Sequence, residues 1–574
     1  MFQPSRPPYF LLLILLALGC GQTNAPDAPA VEKDIIPEAF TGIHELMGSG
    51  DILGLSIAIV GKDQPVRTFA TGRRHVEEGG RVDDGTIFEA ASLSKPVFAR
   101  AILQLAERNV LDLDTPLATY LPYERLEHDE RYLKLTARHV LSHQSGLPNW
   151  GGTPLKMVGE PGAAFGYSGE GYVYLQKVAE KLTGQSLNEI VTTEVFEPLG
   201  MNESSFVWQE AFADRMATGH TRLGKPLYKD RGKEDEGNAA ASLLTTARDF
   251  AKFLTAMMED DFQNMLAAQV QVTDEDSGDP VEGVSWGLGW GVQEGGSGIA
   301  FFHWGDNTGY KAYTLGYPEN GFALVYFANS DNGLSIVGDA IAQFAEGEHP
   351  AVAWIDYERH DAPERQVRHA LEKAFFNESA EAGLQRFQEL KPQHPDLDYE
   401  TMLNRLGYAL LRNDSLDEGI AVFNLNSETY PDSWNVFDSL GEAYATGGMA
   451  DAAITSYSRS LELNPENENA TKAIAYLKEG VELRGNAPTL SPETLQRYVG
   501  NYGQIQVTFE DGDLHAQIAG FNKAFKLVAL TESSFDLERL GRYRLHFHNG
   551  DDGEVARVVA QHVGGHEINA ARRP

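Results

Sequence analysis

The sequence predicts a multidomain chain: an α+β (α/β) domain, then an all-α region of helical repeats, then a small antiparallel β domain. Three observations predict this. Between residues 36 and 345 strand-like runs at both ends enclose a helical middle. Between 363 and 485 helical periodicity carries a recurrence at an offset of 34 residues. From 490 to 574 the apolar pattern changes to period two. A length of 574 residues allows three or four domains.

The chain opens on Arg6 and a short apolar run, Tyr9 to Gly19, ending at Ala17-Leu18-Gly19-Cys20. The run has the length of a signal-peptide core and is too short to span a bilayer. Residues 1–20 are therefore read as a signal peptide. The residues before Cys20 resemble a bacterial lipoprotein cleavage box, which makes Cys20 the expected lipid attachment point. Cys20 is the single cysteine, so no intramolecular disulfide can form. Residues 21–35 are small and polar with prolines, as a tether would be. The expected location is the bacterial cell envelope, periplasmic or held to the membrane by lipid, or alternatively secreted. Membrane contact is expected only through that anchor.

Within 36–345, Leu53 to Val60 and Thr68 to Gly72 read as strands around a Gly61-Lys62-Asp63 turn. From Ser92 the pattern turns helical, with Phe98, Ile102 and Leu105 on one face. Further helices are expected at 170–183, 187–195 and 245–258. Trp286 to Val292, Gly309 to Tyr317 and Phe322 to Asn329 read as strands, so both ends of the domain should share one sheet. A break at Glu348-His349-Pro350 follows. In the helical region Gly407 recurs as Gly441, Ile420 as Ile454, Phe423 as Tyr457 and Pro431 as Pro465. This resembles two tetratricopeptide helix pairs, preceded by a degenerate pair around Ala370 to Leu390. Such repeats offer a groove in which a protein partner can dock. In the last domain, 504–509, 514–518, 525–530, 543–547 and 555–562 read as strands joined by turns such as Asp511-Gly512-Asp513.

Charge excludes one function class. Asp and Glu number 83 against 47 Lys and Arg, a formal charge of -36. Nucleic-acid binding needs a basic face, and this chain offers none by composition.

The chemistry concentrates in Ser92-Leu93-Ser94-Lys95. A Ser-x-x-Lys at a helix start puts a hydroxyl and an amine on one face, one turn apart. A serine alcohol needs an adjacent base, and a lysine serves if desolvation lowers its pKa. Pro96 suits a helix start and not a helix middle. Taken with its surroundings, the stretch resembles the β-lactamase-related serine hydrolases, which include class C β-lactamases, D-alanyl-D-alanine carboxypeptidases and related esterases. The resemblance covers about 38–345 and rests on ordered segments: Ser92 to Lys95; Thr136-Ala137-Arg138-His139-Val140-Leu141-Ser142-His143-Gln144-Ser145-Gly146-Leu147; Tyr167-Ser168-Gly169; Leu199-Gly200-Met201; Thr245 to Asp249; and His303-Trp304-Gly305.

The resemblance implies a penicillin-recognition fold with Ser92 as nucleophile, Lys95 as its activating partner and Tyr167 as general acid/base. It implies an oxyanion hole from the backbone N–H groups of Ser92 and Asp306. His303 and Gly305 then line the substrate side. Two departures stand out. Gly169 replaces the Asn of a Tyr-x-Asn motif, and His303 replaces the Lys of Lys-Thr-Gly. Together they point toward an esterase or D-peptidase acting on an ester, amide or peptide, and away from an efficient β-lactamase. The competing reading is a catalytically weak sensor or envelope binding protein that uses its repeats to dock a partner; a plain envelope scaffold is a weaker third. His143 and Ser145 read as structural, shaping the loop before Gly146. Gly283-Val284-Ser285-Trp286-Gly287 matches a nucleophile elbow by letters, but no helix follows it. No metal or cofactor is expected, since no metal-ligand spacing occurs.

Overall fold

The computed structural model describes residues 36–227, 236–258, 264–274, 276–295, 298–519, 523–538 and 540–573. The expected signal peptide, Cys20 and the tether lie outside the described residues. The chain divides into two compact units, one up to His360 and one from Asp361.

The first unit is built on a nine-stranded antiparallel sheet. Helix α1 (Ile36–Gly50) leads into β1 (Gly54–Val60), β2 (Arg67–His75) and β3 (Gly79–Arg81). A long, mainly helical insertion follows, which includes α2 (Ser94–Glu107), α3 (Gly169–Thr183) and α4 (Ala247–Met257). The chain then returns as β4 (Val270–Thr273), β5 (Pro280–Trp286), β6 (Gly291–Gly295), β7 (Gly298–Asn307), β8 (Tyr310–Tyr317) and β9 (Phe322–Ala328), followed by α5 (Val337–Ala342) and α6 (Pro350–Ile355). The sheet order is β3-β2-β1-β9-β8-β7-β6-β5-β4. Strand β1 pairs with β9, Leu55 opposite Ala328, so the two ends of the unit do share one sheet.

Side chains alternate across this sheet as period two requires. Ala58, Val60, Phe301, Ala323, Val325 and Phe327 pack into one apolar cluster with Val97, Phe98 and Ile102 of α2, Leu175 of α3 and Phe250 of α4. Leu55, Ile57, Ile59, Phe302, Leu315, Leu324 and Tyr326 fill a second cluster with Ile43 of α1, Ile341 of α5 and Ala351 of α6. Both faces are covered, which explains why β1 and β9 read as unbroken apolar runs.

Two expectations need correcting. The single strand expected over 286–292 is the end of β5 and the start of β6, with Gly287–Trp290 between them. Gly289 has φ +89, a conformation that ends a ladder and favours glycine. Helix α2 starts at Ser94 and not at Ser92, because Ala91 sits at φ +50 and forces tight turns first. The first compact unit runs on to His360, and α6 packs against the sheet.

In the second unit, α7 (Pro363–Lys373) and α8 (Ala380–Leu390) precede α9 (Tyr399–Arg412) with α10 (Leu416–Thr429), and α11 (Trp434–Thr446) with α12 (Ala450–Leu463). The 34-residue recurrence has a packing cause. A Cβ on Gly407 would lie 2.5 Å from the Phe423 ring, and one on Gly441 would lie 2.9 Å from the Tyr457 ring. Each glycine lets the aromatic of its partner helix approach the backbone. Helix α13 (Glu468–Gly485) then leads to an eight-stranded antiparallel sheet in sequence order, β10 (Gly500–Tyr502), β11 (Ile505–Glu510), β12 (Asp513–Ile518), β13 (Ala524–Ala529), β14 (Ser534–Leu537), β15 (Tyr543–Asn549), β16 (Val555–His562) and β17 (Glu567–Ala571). This sheet has its own core around Tyr502, Phe535 and Leu545. It is tied to α13 through Arg544, which is 1% exposed, pairs with Asp536 at 3.0 Å and reaches Glu479 at 2.9 Å.

That ion pair generates a prediction. Breaking a buried pair by removing one partner costs up to roughly 3–5 kcal/mol, and here only the exposed Glu479 would remain to face Arg544. Asp536→Ala is therefore expected to lower the melting transition of the second unit and leave that of the first unit in place. Calorimetry on the full chain checks this; a common shift of all unfolding would show the units to be interdependent.

Candidate active site

The site forms where the insertion leaves and rejoins the sheet. Phe88–Glu89 pair with Leu244–Thr245 as a two-stranded ladder. The Ala90 N–H donates to the Leu243 carbonyl at 2.8 Å, and Ala91 bridges to Ser242. Ala91 then adopts the left-handed conformation noted above, which for a non-glycine residue costs of order 1–3 kcal/mol. Successive turns follow: Leu93 N–H to Ala90 O, Ser94 N–H to Ala91 O and Lys95 N–H to Ser92 O, each 3.0 Å. Ser94 fixes them, its Oγ donating to Ala91 O at 2.6 Å and accepting from Leu243 N–H at 2.9 Å. The result lifts Ser92 onto the tip of a tight turn at the head of α2, half-buried, with its hydroxyl available.

Lys95 lies one turn on and is completely buried. Its Nζ is 3.0 Å from Ser92 Oγ and donates to the Ala240 carbonyl at 2.9 Å. The ring of Tyr167 lies 4.7 Å from Nζ and that of Tyr172 lies 5.8 Å away. Among the described residues no carboxylate pairs with it, so burial acts unopposed and lowers its pKa to about 7. The Ala240 carbonyl is held in place by Gln176 of α3, which donates from Nε2 to Gly237 O and accepts from Ala239 N–H, both at 2.9 Å. Sequence reading had no means of finding this, because a backbone carbonyl leaves no signature in the side chains.

Tyr167 stands just before α3. Its hydroxyl is buried and meets no partner with full hydrogen-bond geometry, although it lies close enough to Ser92 to interact with it. Burial raises its pKa well above the usual phenol value, so it carries its proton at ordinary pH. The ring stacks on His143, centroids 4.2 Å apart. His143 is fully buried, sits at φ +54 and accepts the Ser168 N–H at Nδ1, 3.0 Å away. Burial, with Lys95 and His303 nearby, holds its pKa well below that of a free imidazole. The imidazole expected to shape the loop before Gly146 is thus also the surface on which Tyr167 rests.

His303, expected on the substrate side, is 0% exposed. Its ring lies 6.1 Å from that of Tyr167, with Nδ1 against the Trp304 carbonyl at 2.8 Å. Burial lowers its pKa to about 3, so it carries no charge at ordinary pH. Gly305 has a spatial role: a Cβ there would lie 2.4 Å from Ala90 O, so only glycine lets β7 come this close to the Ser92 turn. Asp306 follows on the same strand, exposed, paired with Lys311 at 2.9 Å and accepting from the Tyr357 hydroxyl at 2.5 Å. Lys311 is also bound to Asp331 at 2.8 Å. Gly169 lies under an indole: a Cβ on it would meet Trp150 at 2.7 Å. Ser285 lies within β5, paired with Val292, and forms no elbow. Ser145 is buried, accepting the Leu147 N–H at Oγ. Among the described residues no group of His, Cys, Asp or Glu is placed to hold a metal ion, and no helix is long and apolar enough to cross a membrane.

An antiparallel sheet covered by helices on both faces, with a serine and a buried lysine where sheet and insertion meet, defines the β-lactamase-fold class of serine hydrolases. Residues 42–346, just over half of the chain, match the protein family described as Beta-lactamase. The chain belongs to that family. It is 26% identical over 304 residues to Penicillin-binding protein 4* of Bacillus subtilis, covering 45% of this chain and 64% of that relative. It is 26% identical over 310 residues to Penicillin-binding protein 4 of Amycolatopsis lactamdurans, covering 48% and 81%. It therefore spans somewhat less than two thirds of the Bacillus relative. Among solved structures it is similar to a class C beta-lactamase, with 19% identity, 54% of this chain and 97% of the other covered, and a TM-score of 0.47. A D-alanine carboxypeptidase from Burkholderia cenocepacia gives 19%, 54%, 99% and 0.46.

The lowered lysine pKa has a measurable consequence. Unfolded, Lys95 titrates near 10.4; folded, it titrates at about 7. Between those values the unfolded chain binds a proton that the native chain does not, so native stability rises with pH there. Below about 7 the full penalty is present. Relative to a Lys95→Met variant, the parent is expected to gain on the order of 4 kcal/mol between pH 6 and pH 10.5. Chemical denaturation at both pH values measures this, and a pH-independent difference would mean that Lys95 is charged in the native state.

Proposed function

We propose that this chain hydrolyses an ester, amide or peptide through an acyl-enzyme at Ser92, and that it works better as an esterase or D-peptidase than as a β-lactamase. The observation that carries this reading is the 3.0 Å contact of Lys95 Nζ with Ser92 Oγ in a buried pocket without a counter-charge. A neutral amine has two N–H bonds and one lone pair. One N–H is used on Ala240 O, which supports turning the lone pair toward Ser92. As Ser92 Oγ attacks the carbonyl carbon, its proton passes to Nζ. The oxyanion that forms meets the backbone N–H groups of Ser92 and Asp306. When it collapses, the bond to the leaving group breaks. Tyr167, kept protonated by burial, is suited to hand the leaving atom a proton and to be replenished from Lys95. Water then attacks the acyl carbon, gives its proton to the same pair of groups, and the Ser92 C–O bond breaks to restore the hydroxyl.

Charge sets the substrate preference. A carboxylate-bearing β-lactam is best gripped by a fixed cation. Here His303 is neutral and buried, and Lys311 is committed to Asp306 and Asp331. Gly169 has no side chain to offer an amide. A hydrogen bond to a charged group contributes roughly 1.5–3 kcal/mol, so two losses disfavour such a substrate by about a hundredfold or more. The apolar segment before Cys20 and the penicillin-binding relatives support an envelope location, lipid-anchored or secreted.

The expected result is measurable hydrolysis of p-nitrophenyl acetate or butyrate and slow or absent nitrocefin turnover. Ser92→Ala should lose covalent labelling by a fluorophosphonate and roughly 10³-fold or more in turnover, with its melting temperature nearly unchanged. Wild-type turnover in that variant would disprove the mechanism. Nitrocefin turnover matching that of a class C enzyme assayed alongside would disprove the preference.

A further inference from the structure

Helix α6 and the residues after it lie beyond the span matched to the family, which ends at residue 346, yet they belong to the first compact unit. They bring two aromatic side chains to the mouth of the site. The Trp354 ring stands edge-on to Trp304, centroids 5.5 Å apart, and to Phe165 at 5.8 Å. Trp304 in turn lies 5.2 Å from Tyr167. Tyr357 anchors the far end, its hydroxyl bound to Asp306, the residue that follows Gly305 on β7. Phe165, Tyr167, Trp304, Trp354 and Tyr357 are all half-buried, so they form a continuous aromatic strip with part of its surface open to solvent. The strip begins on Tyr167, the phenol that approaches Ser92.

We propose that this strip is a subsite for an apolar or aromatic acyl group of the substrate, completed by Trp354 from α6. The proposal rests on the acyl-enzyme reading given above and names the substrate class for it. Three properties support it. The strip is continuous with the reacting groups. Its flat rings present apolar area at little conformational cost. Asp306, a charge beside it, is already bound by Tyr357 and Lys311, so it neither attracts a cation strongly nor leaves room for a substrate carboxylate. A neutral acyl chain is what remains.

The test uses the full chain and a series of p-nitrophenyl esters: acetate, butyrate, hexanoate and phenylacetate. Each buried methylene is worth about fourfold in kcat/KM, so the parent should prefer hexanoate to acetate clearly. Trp354→Ala should reduce the hexanoate-to-acetate ratio of kcat/KM by about tenfold, mainly through KM, and Trp354→Phe should restore most of it. If the alanine variant fails to fold, Trp354→Leu replaces it, with a loss of phenylacetate preference as the readout. Fluorophosphonate titration counts competent Ser92 sites in every sample. A parent that neither labels at Ser92 nor hydrolyses any ester overturns the acyl-enzyme reading itself. A parent that labels normally but shows no rise with chain length, or a Trp354 variant with an unchanged ratio and only a lower melting temperature, overturns the subsite and leaves the acyl-enzyme reading standing.

Discussion

The contact between Lys95 and Ser92 depends on keeping an amine dry, and much of the first unit serves that constraint. A lysine in water is an ammonium with no lone pair to share. Here the side chain is enclosed by Tyr167, Tyr172 and the Ala240 carbonyl. The same burial that depresses the lysine also depresses His143 and His303, and each discharges the others' surroundings. A carboxylate in this pocket would restore the ammonium and remove the lone pair. The pocket is therefore specified by what is excluded as much as by what is present.

Holding such a group in place takes backbone precision from several directions. The Ser94 hydroxyl ties the Ser92 turn to the Leu243 segment, and Gln176 clamps the segment that carries the Ala240 carbonyl. Gly305 brings β7 against Ala90, and the strained Ala91 sets the angle at which Ser92 projects. Each is a contact between elements far apart in sequence. The sheet acts as the common reference against which all of them are set.

This explains what could be read from the chain alone. The nearness of Ser92, Lys95 and Tyr167 was legible from a short spacing and ordered surroundings, and the 34-residue recurrence was legible because the contact of Gly407 with Phe423 is repeated as that of Gly441 with Tyr457. The α6 aromatics were not, since Trp354 and Tyr357 follow a proline-marked break and carry no spacing relative to Ser92; only the fold brings them to β7. The depth of His303 was not legible, because a strand position gives the face and not the burial. The strand breaks near Gly289 and the extra strands β10, β14 and β17 were missed for a local reason: these runs are three to five residues long, too short for period two to register.

The pairing of β1 with β9 also sets a schedule. Leu55 meets Ala328, and every residue of the helical insertion lies between them. Closing so long a loop carries a large entropic cost before any ladder bond repays it. As the chain grows from its N-terminus, Gly54–Val60 must wait with one edge unpaired until Phe322–Ala328 exists. An uncovered apolar strand of this kind invites pairing with a neighbouring chain. The interval before Phe322–Ala328 is made is thus the one in which β1 keeps an edge open.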